Sequence, residues 1–513
     1  MAPDILRDSV FGFIINKLSG GKILPFPEEK RDFVVPEMYL VKQNSDEKTF
    51  IVDWYGPEDP ANPKNWSIYK KSWIVFQISF LTIVMYMASS IFVSGSSQMM
   101  KDLNTSRVKA TLPLTTYLLG FGFAPMILSP MSEHAPIGRS IIYVTAIAFF
   151  CVIQVPTALV HTIEKIIGLR LLAGIASAPS LAIGGATIGD TVSLRHVPYA
   201  IVFWSAGAIG GPALGPFIGS LFAALVNWRW NFWFLCIISG ACLLAYALFL
   251  PETSRGTILH RRALRLRKLT GNPLIQSPYE VHEKTTFKKL VIEIFWRPIF
   301  LIICEPIVFC IDFYMAFIYV IFNSWFEALP ICFVEIYNFT TIEMGTVYFA
   351  VIVGGYLAAI VYLFIIPRIN NSKNPTIEKF LLPAIFGSFF LPIGLFIFSW
   401  SSSPHTHWMG PIMSIGIFTF GAFFIFQSLF SYFGKGFHRY LASVFAGNAL
   451  LRSILAAVFP LFTPPMYHNL AIKRYPVAWG GTIWACVGTL LIAIPFFLYN
   501  FGVQLRGRSK YAN

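Results

Sequence analysis

Twelve long apolar stretches, separated by polar segments, constrain this chain more than any other feature of its sequence. Each has about 20 residues or more, the length that a helix needs to cross the hydrocarbon core of a bilayer with its backbone polar groups satisfied internally. The stretches are 73–95, 112–131, 141–161, 166–188, 198–222, 231–250, 299–323, 341–366, 380–400, 408–434, 441–463 and 479–501. The pattern predicts an all-α membrane protein with twelve transmembrane helices.

The composition excludes a soluble globular protein and a disulfide-stapled one. Of the 513 residues, 56% are hydrophobic and only 12% are charged, whereas about 25% charged residues is typical of soluble proteins. A soluble chain of this size would have too few charges to cover its surface. The seven cysteines are too few for a disulfide-stapled scaffold. We therefore expect lipid to solvate most of the chain.

A hydrophilic segment in the middle of the chain divides the apolar stretches into two sets of six. The domains that we predict are an N-terminal tail 1–72, a six-helix bundle 73–250, a central loop 251–298, a second six-helix bundle 299–503 and a C-terminal tail 504–513. We expect no removable signal peptide, because the tail lacks a basic start followed by a short apolar core.

The distribution of basic residues predicts the orientation of the chain, whose formal net charge is +14. With the N-terminus in the cytosol, 30 of the 39 Lys and Arg residues lie on the cytosolic side, seven lie outside, and Arg170 and Arg452 lie within spans. Cytosolic loops of membrane proteins carry this excess of positive charge. We expect both termini in the cytosol, and no nucleic-acid partner is needed to explain the charge.

The fifth apolar stretch contains four glycines at a spacing of four residues. They are Gly207, Gly211, Gly215 and Gly219. Such a stripe along one side of a helix lets a neighbouring backbone approach closely. Pro212 and Pro216 lie between these glycines, remove backbone donors and permit a bend. We predict a contact surface that also moves.

Three ionisable residues within the spans are our candidates for proton coupling. Arg170 lies about one turn inside the fourth stretch, so it either pairs in the interior or extends towards the outer headgroups. Glu305 and Asp312 are seven residues apart and would share one face of a helix. Asp312 would lie roughly 20 Å from the inner end of that helix, where a carboxyl group can carry a proton. The alternative is a buried hydrogen-bonded pair, with Arg452 as its partner.

The loop after the second stretch combines an acid, a glycine turn and a base. Glu133, Gly138 and Arg139 can pair with one another or with a helix terminus. This pattern predicts either a latch that opens and closes as two helix bundles move or a charged turn without that role.

Several chemistries are missing from the sequence. It has no GxxxxGK[ST] phosphate loop, no HExxH or Cys/His metal cluster and no GxSxG nucleophile. His405 and His407, on an outer loop, are expected to be polar loop residues rather than metal ligands. We therefore expect neither an enzyme nor a bound cofactor or metal.

These motifs together resemble the fungal drug:proton antiporter family of the major facilitator superfamily, which has twelve spans. The segments that carry the resemblance are 129–139, 170–174, 210–216, 228–230, 251–253 and 261–271. Towards the end of the chain, 442–448, 475–480 and 508–513 are similar to the yeast fluconazole, benomyl/methotrexate and cycloheximide resistance transporters. The resemblance covers nearly the whole chain from Trp54.

The resemblance implies export of toxic hydrophobic compounds, such as azoles, benomyl and cycloheximide, in exchange for protons at the plasma membrane. It implies alternating access, with Arg170 in proton coupling, 207–219 as the antiporter motif and 133–139 as a gating loop. We expect drugs, protons and the bilayer as partners, and a monomer. Two alternatives remain: a proton-coupled transporter of a natural metabolite with the same fold, or a membrane receptor that transports nothing.

Overall fold

The structure, a computed structural model, describes residues 2–30, 33, 40–43, 49–193, 195–282, 295–370, 376–437 and 440–511. Within these residues, twelve helices are long and apolar enough to cross a membrane. Spans 1 to 12 are Ile68–Asp102, Arg107–Glu133, Arg139–Leu159, Ile163–Thr191, Val197–Leu225, Trp230–Phe249, Pro306–Ile336, Thr341–Ile369, Ile377–Ser401, Met409–Gly436, Ser443–Asn469 and Ala478–Arg508. The predicted number of spans and the helical fold class are confirmed, and the chain is a multi-pass membrane protein.

Several spans are series of consecutive helices rather than single rods. Their pieces are Ile68–Ser90 and Ser96–Asp102 in span 1, Ile163–Ser177, Pro179–Ala182 and Gly184–Thr191 in span 4, Pro306–Pro330 and the π-helical turn Ile331–Ile336 in span 7, Thr341–Val347 and Phe349–Asn370 in span 8, and Ala478–Leu491 and Ala493–Arg508 in span 12. Hydropathy alone marks the length of such a span but not its internal breaks.

The predicted seventh stretch, 299–323, is not one helix. A separate helix, Arg297–Cys304, precedes span 7, and Glu305 between them has extended backbone angles. Pro306 explains the break, because proline lacks a backbone N–H and disfavours the helical conformation of the residue before it. The prediction that Glu305 and Asp312 share one face of a continuous helix is therefore wrong. Asp312 also lies roughly 9 Å from the start of its helix, not roughly 20 Å as predicted, because that helix begins at Pro306.

Glycines set the close approach of spans within each half of the molecule. The first half is spans 1 to 6, and the second half is spans 7 to 12. A Cβ atom on Gly120 of span 2 would lie 2.9 Å from the backbone nitrogen of Ile175 in span 4. In the second half, a Cβ atom on Gly387 of span 9 would lie 2.7 Å from the carbonyl oxygen of Gly421 in span 10. Association of helices in lipid relies on this kind of backbone-to-backbone packing, since burial of apolar side chains brings little gain there.

A small folded unit lies at the face of the bundle that carries both chain ends, which we call the terminal face. Its elements are α1 (Ala2–Asp8), α2 (Val10–Leu18), β1 (Leu40–Gln43), β2 (Thr49–Val52), α3 (Arg255–Thr270) and β3 (Ile275–Gln276). β2 pairs antiparallel with β1 and parallel with β3. The tail 1–72 and the loop 251–298, which the sequence suggested as separate segments, therefore meet in one sheet. Residues 283–294 of that loop lie outside the described part of the chain.

A buried arginine with two carboxylates ties the tail to α3. Arg262 Nη1 donates to Asp59 Oδ2 at 2.7 Å, and its Nε lies 3.1 Å from Glu28 Oε1. Asp59 also accepts the backbone N–H groups of Tyr55 and Ala61, each at 2.8 Å. Burial alone would raise the pKa of Asp59, but the hydrogen bonds from Arg262 and the backbone outweigh it and hold this pKa below its ordinary value. Asp59 and Arg262 therefore both stay ionised at neutral pH.

Candidate functional site

The glycine stripe of span 5 packs directly on the backbone of span 1. A Cβ atom would lie 3.1 Å from the Ser79 carbonyl oxygen if placed on Gly207, and 2.7 Å from the Ile83 oxygen if placed on Gly211. On Gly215 and Gly219 it would meet the backbone of Met87 and Ile91. The close approach predicted from the spacing is present at all four glycines, along about three turns. Sliding or bending along this surface stays a prediction.

The two prolines of span 5 add polar links to the same contact. Pro216 has no N–H to offer the carbonyl group of Pro212, four residues earlier. Ser90 Oγ of span 1 donates to that oxygen instead, at 3.0 Å, and Ser94 Oγ donates to the Pro216 oxygen at 2.7 Å. The loss of a helical hydrogen bond is thus compensated by the neighbouring span, which makes the contact specific as well as close.

The substitution Gly211→Ala is expected to prevent this packing. The new methyl group would need space now occupied by the Ile83 oxygen and the Tyr86 Cβ atom, both 2.7 Å away. Overpacking of this kind costs about 1–3 kcal/mol, so the melting temperature of the purified protein should fall, and transport should fall with it. Gly240→Ala in span 6 is the matched control, because its nearest neighbour, Cys151 Sγ, is at an ordinary 3.8 Å. Equal melting temperatures for the two variants would refute this account.

Arg170 lies inside the first half, entirely shielded from the surroundings. Its Nη2 donates to the Ser89 carbonyl oxygen of span 1 at 3.0 Å, and its guanidinium carbon lies 4.4 Å from the ring centre of Tyr117 and 4.9 Å from that of Phe92. The side chain is 0% exposed, so it does not extend to the outer headgroups, and that alternative is wrong. Cation–π contacts and one carbonyl group hold the charge.

Asp312 is buried in the second half and has an amide as its hydrogen-bonding partner. Asn448 Nδ2 of span 11 donates to its Oδ1 at 2.9 Å, while Oδ2 has no such partner in the described part of the chain. The predicted alternative placed Arg452 in this position. Asn448, one helical turn before Arg452, is a site residue that sequence reasoning missed, although a polar residue one turn from a buried arginine was a visible signal.

Arg452 connects the Asp312–Asn448 pair to the first half of the molecule. Its guanidinium carbon lies 4.6 Å from the ring centre of Tyr319 in span 7 and 5.7 Å from that of Phe426 in span 10. The hydroxyl group of Tyr86, in span 1, lies beside the same guanidinium. Spans 1, 7, 10 and 11 therefore bring one acid, one base and three aromatic rings together where the two halves meet. We call this the central cluster.

Glu305 is buried at the break before span 7, at the N-terminus of the helix that carries Asp312. Its side chain is largely shielded, and it occupies the N-cap position of the helix that begins at Pro306 without a side-chain hydrogen bond to that helix. A carboxylate is favoured at such a position by the helix dipole. The structure thus separates the two acids by environment: one at a helix terminus, the other within the central cluster.

One of the predicted loop residues, Arg139, meets a partner from another span. Gly138 adopts φ +79°, a conformation that favours glycine, and Arg139 begins span 3. Arg139 Nη2 lies 3.0 Å from Asp190 Oδ2 at the end of span 4. Glu133 ends span 2. In the sequence, Asp190 is only a residue near the end of a helix, so its part in this ion pair was missed.

Glu252, three residues after the end of span 6, caps the start of span 3. Its carboxylate accepts the backbone N–H groups of Arg139 at 3.1 Å and Ser140 at 3.3 Å, and those of Thr253 and Ser254 at 3.0 Å. A carboxylate at a helix N-terminus satisfies free donors and complements the helix dipole. A pairing of an acid with a helix terminus, of the kind that the sequence suggested for the 133–139 loop, is thus present at Glu252, within the Pro251–Thr253 motif.

Polar contacts also join the two halves at the face opposite the terminal face. Thr111 Oγ1 of span 2 donates to Glu327 Oε1 of span 7 at 3.0 Å, and Arg107 Nε lies 3.6 Å from the same carboxylate. Closer to the centre, Thr115 Oγ1 donates to the Ala457 oxygen of span 11 at 2.8 Å. In this conformation span 2 is held against spans 7 and 11 on that side.

Comparison with known proteins identifies relatives of the whole chain. Residues 78–460 match the sequence profile described as Major Facilitator Superfamily. The chain is 41% identical to the cycloheximide resistance protein of Candida maltosa, with 99% of each protein covered. It is 42% identical to fluconazole resistance protein 1 of Saccharomyces cerevisiae, over 90% of this chain and 85% of the relative. It is 40% identical to the multidrug transporter FLR2 of Candida glabrata, over 90% of this chain and 79% of the relative.

Proposed function

The chain belongs to the Major Facilitator Superfamily, and on that basis we propose that it exports hydrophobic drugs and toxins in exchange for protons. The names of the relatives support the direction and the substrate class, since they refer to resistance to cycloheximide and fluconazole and to multidrug transport. We assign the exporter to the plasma membrane, with the terminal face in the cytosol. The excess of Lys and Arg on that face supports the orientation.

The observation that carries the proposal is the placement of Asp312 in the central cluster. Its carboxyl group has one oxygen held by Asn448 and the other without a partner in the described residues. A carboxyl group takes up or releases a proton as its surroundings change, and this one is held by Asn448, one helical turn from Arg452, which contacts Tyr86 of the first half. Transporters that rock two bundles around a midplane site expose such a group to each face in turn. We assign the exchanged proton to Asp312.

The drug site in this proposal lies on the aromatic side of the same cluster. Tyr86, Tyr319 and Phe426 surround the guanidinium of Arg452, and Tyr86 packs edge-to-face on Phe121 at 5.1 Å. Planar apolar compounds can stack on such rings, and the arginine can donate to their carbonyl or ring-nitrogen acceptors. Drug and proton then compete for one region, which is the basis of exchange.

Arg170 and the glycine stripe act on the same element, span 1. Arg170 holds the carbonyl group of Ser89, and the adjacent Ser90 donates to Pro212 of span 5. A shift of span 1 along the stripe would therefore alter both contacts together. In the proposed mechanism this links the conformation of the first half to Tyr86, which lies on span 1 beside Arg452.

The direct test is accumulation of labelled cycloheximide, fluconazole or benomyl in yeast cells that lack other pumps. Cells that express the protein should hold less drug. A driving force of 100 mV per exchanged proton, about 2.3 kcal/mol, supports a ratio of external to internal drug concentration of about 50. Collapse of the proton gradient with an uncoupler should raise accumulation to the level of cells without the protein.

The same assay separates the alternatives. Higher drug content in expressing cells, abolished by the uncoupler, would indicate an importer. Unchanged accumulation of all three compounds, with the protein present at the cell surface, would reject drug export and leave a metabolite transporter or a receptor. Lower accumulation that persists after the gradient has collapsed would reject the proton as the coupling ion.

A further inference from the structure

α2 presents an apolar stripe that the rest of the described chain leaves uncovered. Phe11, Ile14 and Leu18 are 41%, 49% and 83% exposed. At about 100° per residue, these positions lie within roughly 60° of one another around the helix. Ile23, in the turn that follows, is also exposed. Three large apolar side chains aligned on one side of a nine-residue helix point to a specific apolar environment.

The other sides of α2 are occupied by protein. Gly12 packs against the backbone of Arg7 at the end of α1, and the buried Asn16 donates to Leu24 O at 3.2 Å and to Glu29 Oε2 at 2.8 Å. The ring of Phe13 lies under the guanidinium of Arg261, in α3, at 4.3 Å. Phe13 is roughly 140° around the helix from Leu18. The exposed stripe therefore points away from α3 and the unit at the terminal face.

The start of α2 is fixed at the ends of membrane spans. Ser9, its N-cap residue, forms a backbone bridge with Pro251, which lies two residues after the end of span 6. Glu252 N donates to Asp8 O at 3.1 Å, and Lys70 of span 1 lies 3.6 Å from the Asp8 carboxylate. The helix therefore begins next to the terminal-face ends of spans 1 and 6, where Tyr69 of span 1 and Phe249 of span 6 are exposed.

Two exposed lysines flank the apolar stripe. Lys17 lies on α2 and Lys22 in the turn after it. A short amphipathic helix with large apolar residues on one side and lysines beside them is the pattern of a helix that lies in the membrane interface, and its lysines favour anionic headgroups. Because α2 is anchored at the ends of spans 1 and 6, which themselves expose large apolar side chains, lipid is the occupant that the position favours over a protein partner.

We propose that α2 is an interfacial helix that binds the bilayer surface at the terminal face, with Phe11, Ile14 and Leu18 in the acyl boundary and Lys17 and Lys22 at anionic headgroups. This inference is independent of what the protein transports. It gives the N-terminal tail a binding partner, because the helix that binds lipid is the one that contacts α3 and the end of span 6.

The test uses the full-length protein in two kinds of vesicle. One is phosphatidylcholine alone, and the other contains about a third phosphatidylserine, a proportion chosen to mimic an anionic leaflet. A benzophenone amino acid replaces Ile14 or Leu18, and lipid adducts on the peptide are measured by mass spectrometry after illumination. The matched control carries the probe at Leu274, an exposed leucine beside β3 in the same unit. We expect at least fivefold more lipid adduct at positions 14 and 18 than at 274.

A second arm examines the lysines and the competing occupant. In the double variant Lys17→Ala, Lys22→Ala, the preference for phosphatidylserine adducts over phosphatidylcholine adducts should fall at least twofold, with the melting temperature unchanged. Equal adducts at 14, 18 and 274, or none at 14 and 18, would overturn the proposal. Illumination in native membranes that links position 14 or 18 mainly to another polypeptide would overturn it in favour of a protein partner.

Discussion

Replacement of Asp312 by Asn is expected to abolish proton-driven export while leaving a folded protein that still binds drug. The amide keeps the size of the side chain and an oxygen for Asn448 Nδ2, which donates to Oδ1 at 2.9 Å, but it has no proton to exchange. It also removes a carboxyl group from a fully shielded position, where a charge is costly. We therefore expect a melting temperature equal to or above that of the parent protein.

Proteoliposomes with an imposed pH gradient provide the measurement. Uphill drug transport should fall at least tenfold for D312N, while exchange of labelled for unlabelled drug without a gradient should persist, because exchange needs the binding site but no net proton movement. The remaining exchange should be insensitive to pH between 5 and 8. Glu305→Gln is the matched control: it removes a second buried acid from the break before span 7.

The outcomes assign the proton carrier. Loss of uphill transport in D312N with E305Q intact supports Asp312. The reverse result would move the exchanged proton to Glu305 and overturn the assignment made above. Loss of drug exchange together with uphill transport in D312N would show that the carboxyl group is needed for drug binding, and the separation of binding from coupling would then be wrong.

The sequence predicts the features of this protein that depend on local composition. Twelve apolar stretches were sufficient to count the spans, because each must bury its own backbone polar groups in lipid. The four glycines of span 5 predicted a close contact, since their spacing repeats on one side of a helix. They did not identify span 1 as the partner, because its contacting atoms at Ser79 and Ile83 are backbone carbonyl groups, which carry no sequence signal.

Contacts between distant segments were beyond sequence reasoning. Asn448 meets Asp312 across 136 positions, and Glu252 caps span 3 across 113. Each residue is ordinary in its own segment, and only the three-dimensional arrangement brings the pairs together. The sheet at the terminal face is a similar case, since β3 contributes only two residues, too few for the alternation that marks a strand. The break at Glu305 was more accessible, because Pro306 stands directly after it.

Replacement of Arg170 by Met should separate coupling from stability in the first half. Methionine approximates the length of the side chain without its charge, so the variant loses the hydrogen bond to Ser89 O and the cation–π contacts with Tyr117 and Phe92. These losses amount to about 1 kcal/mol for the hydrogen bond and up to about 2 kcal/mol for the rings. They are offset because the variant no longer buries a cation. Burial of a cation is costly when no carboxylate lies beside it, as is the case for Arg170 among the described residues. The melting temperature should therefore change little.

Transport is expected to respond differently. R170M removes the hydrogen bond to the Ser89 carbonyl group, and this bond links span 4 to span 1. Uphill transport should fall at least tenfold, and Arg170→Lys should recover part of it by restoring the charge without the planar stacking. Arg229→Met is the matched control. Arg229 also donates to carbonyl groups, those of Ala158 and Val160, and lies 4.6 Å from the ring centre of Trp228, but it sits at the edge of span 6. Intact uphill transport in R170M would refute the coupling role, whereas equal losses in R170M and R229M, with equal falls in melting temperature, would reduce both arginines to structural residues.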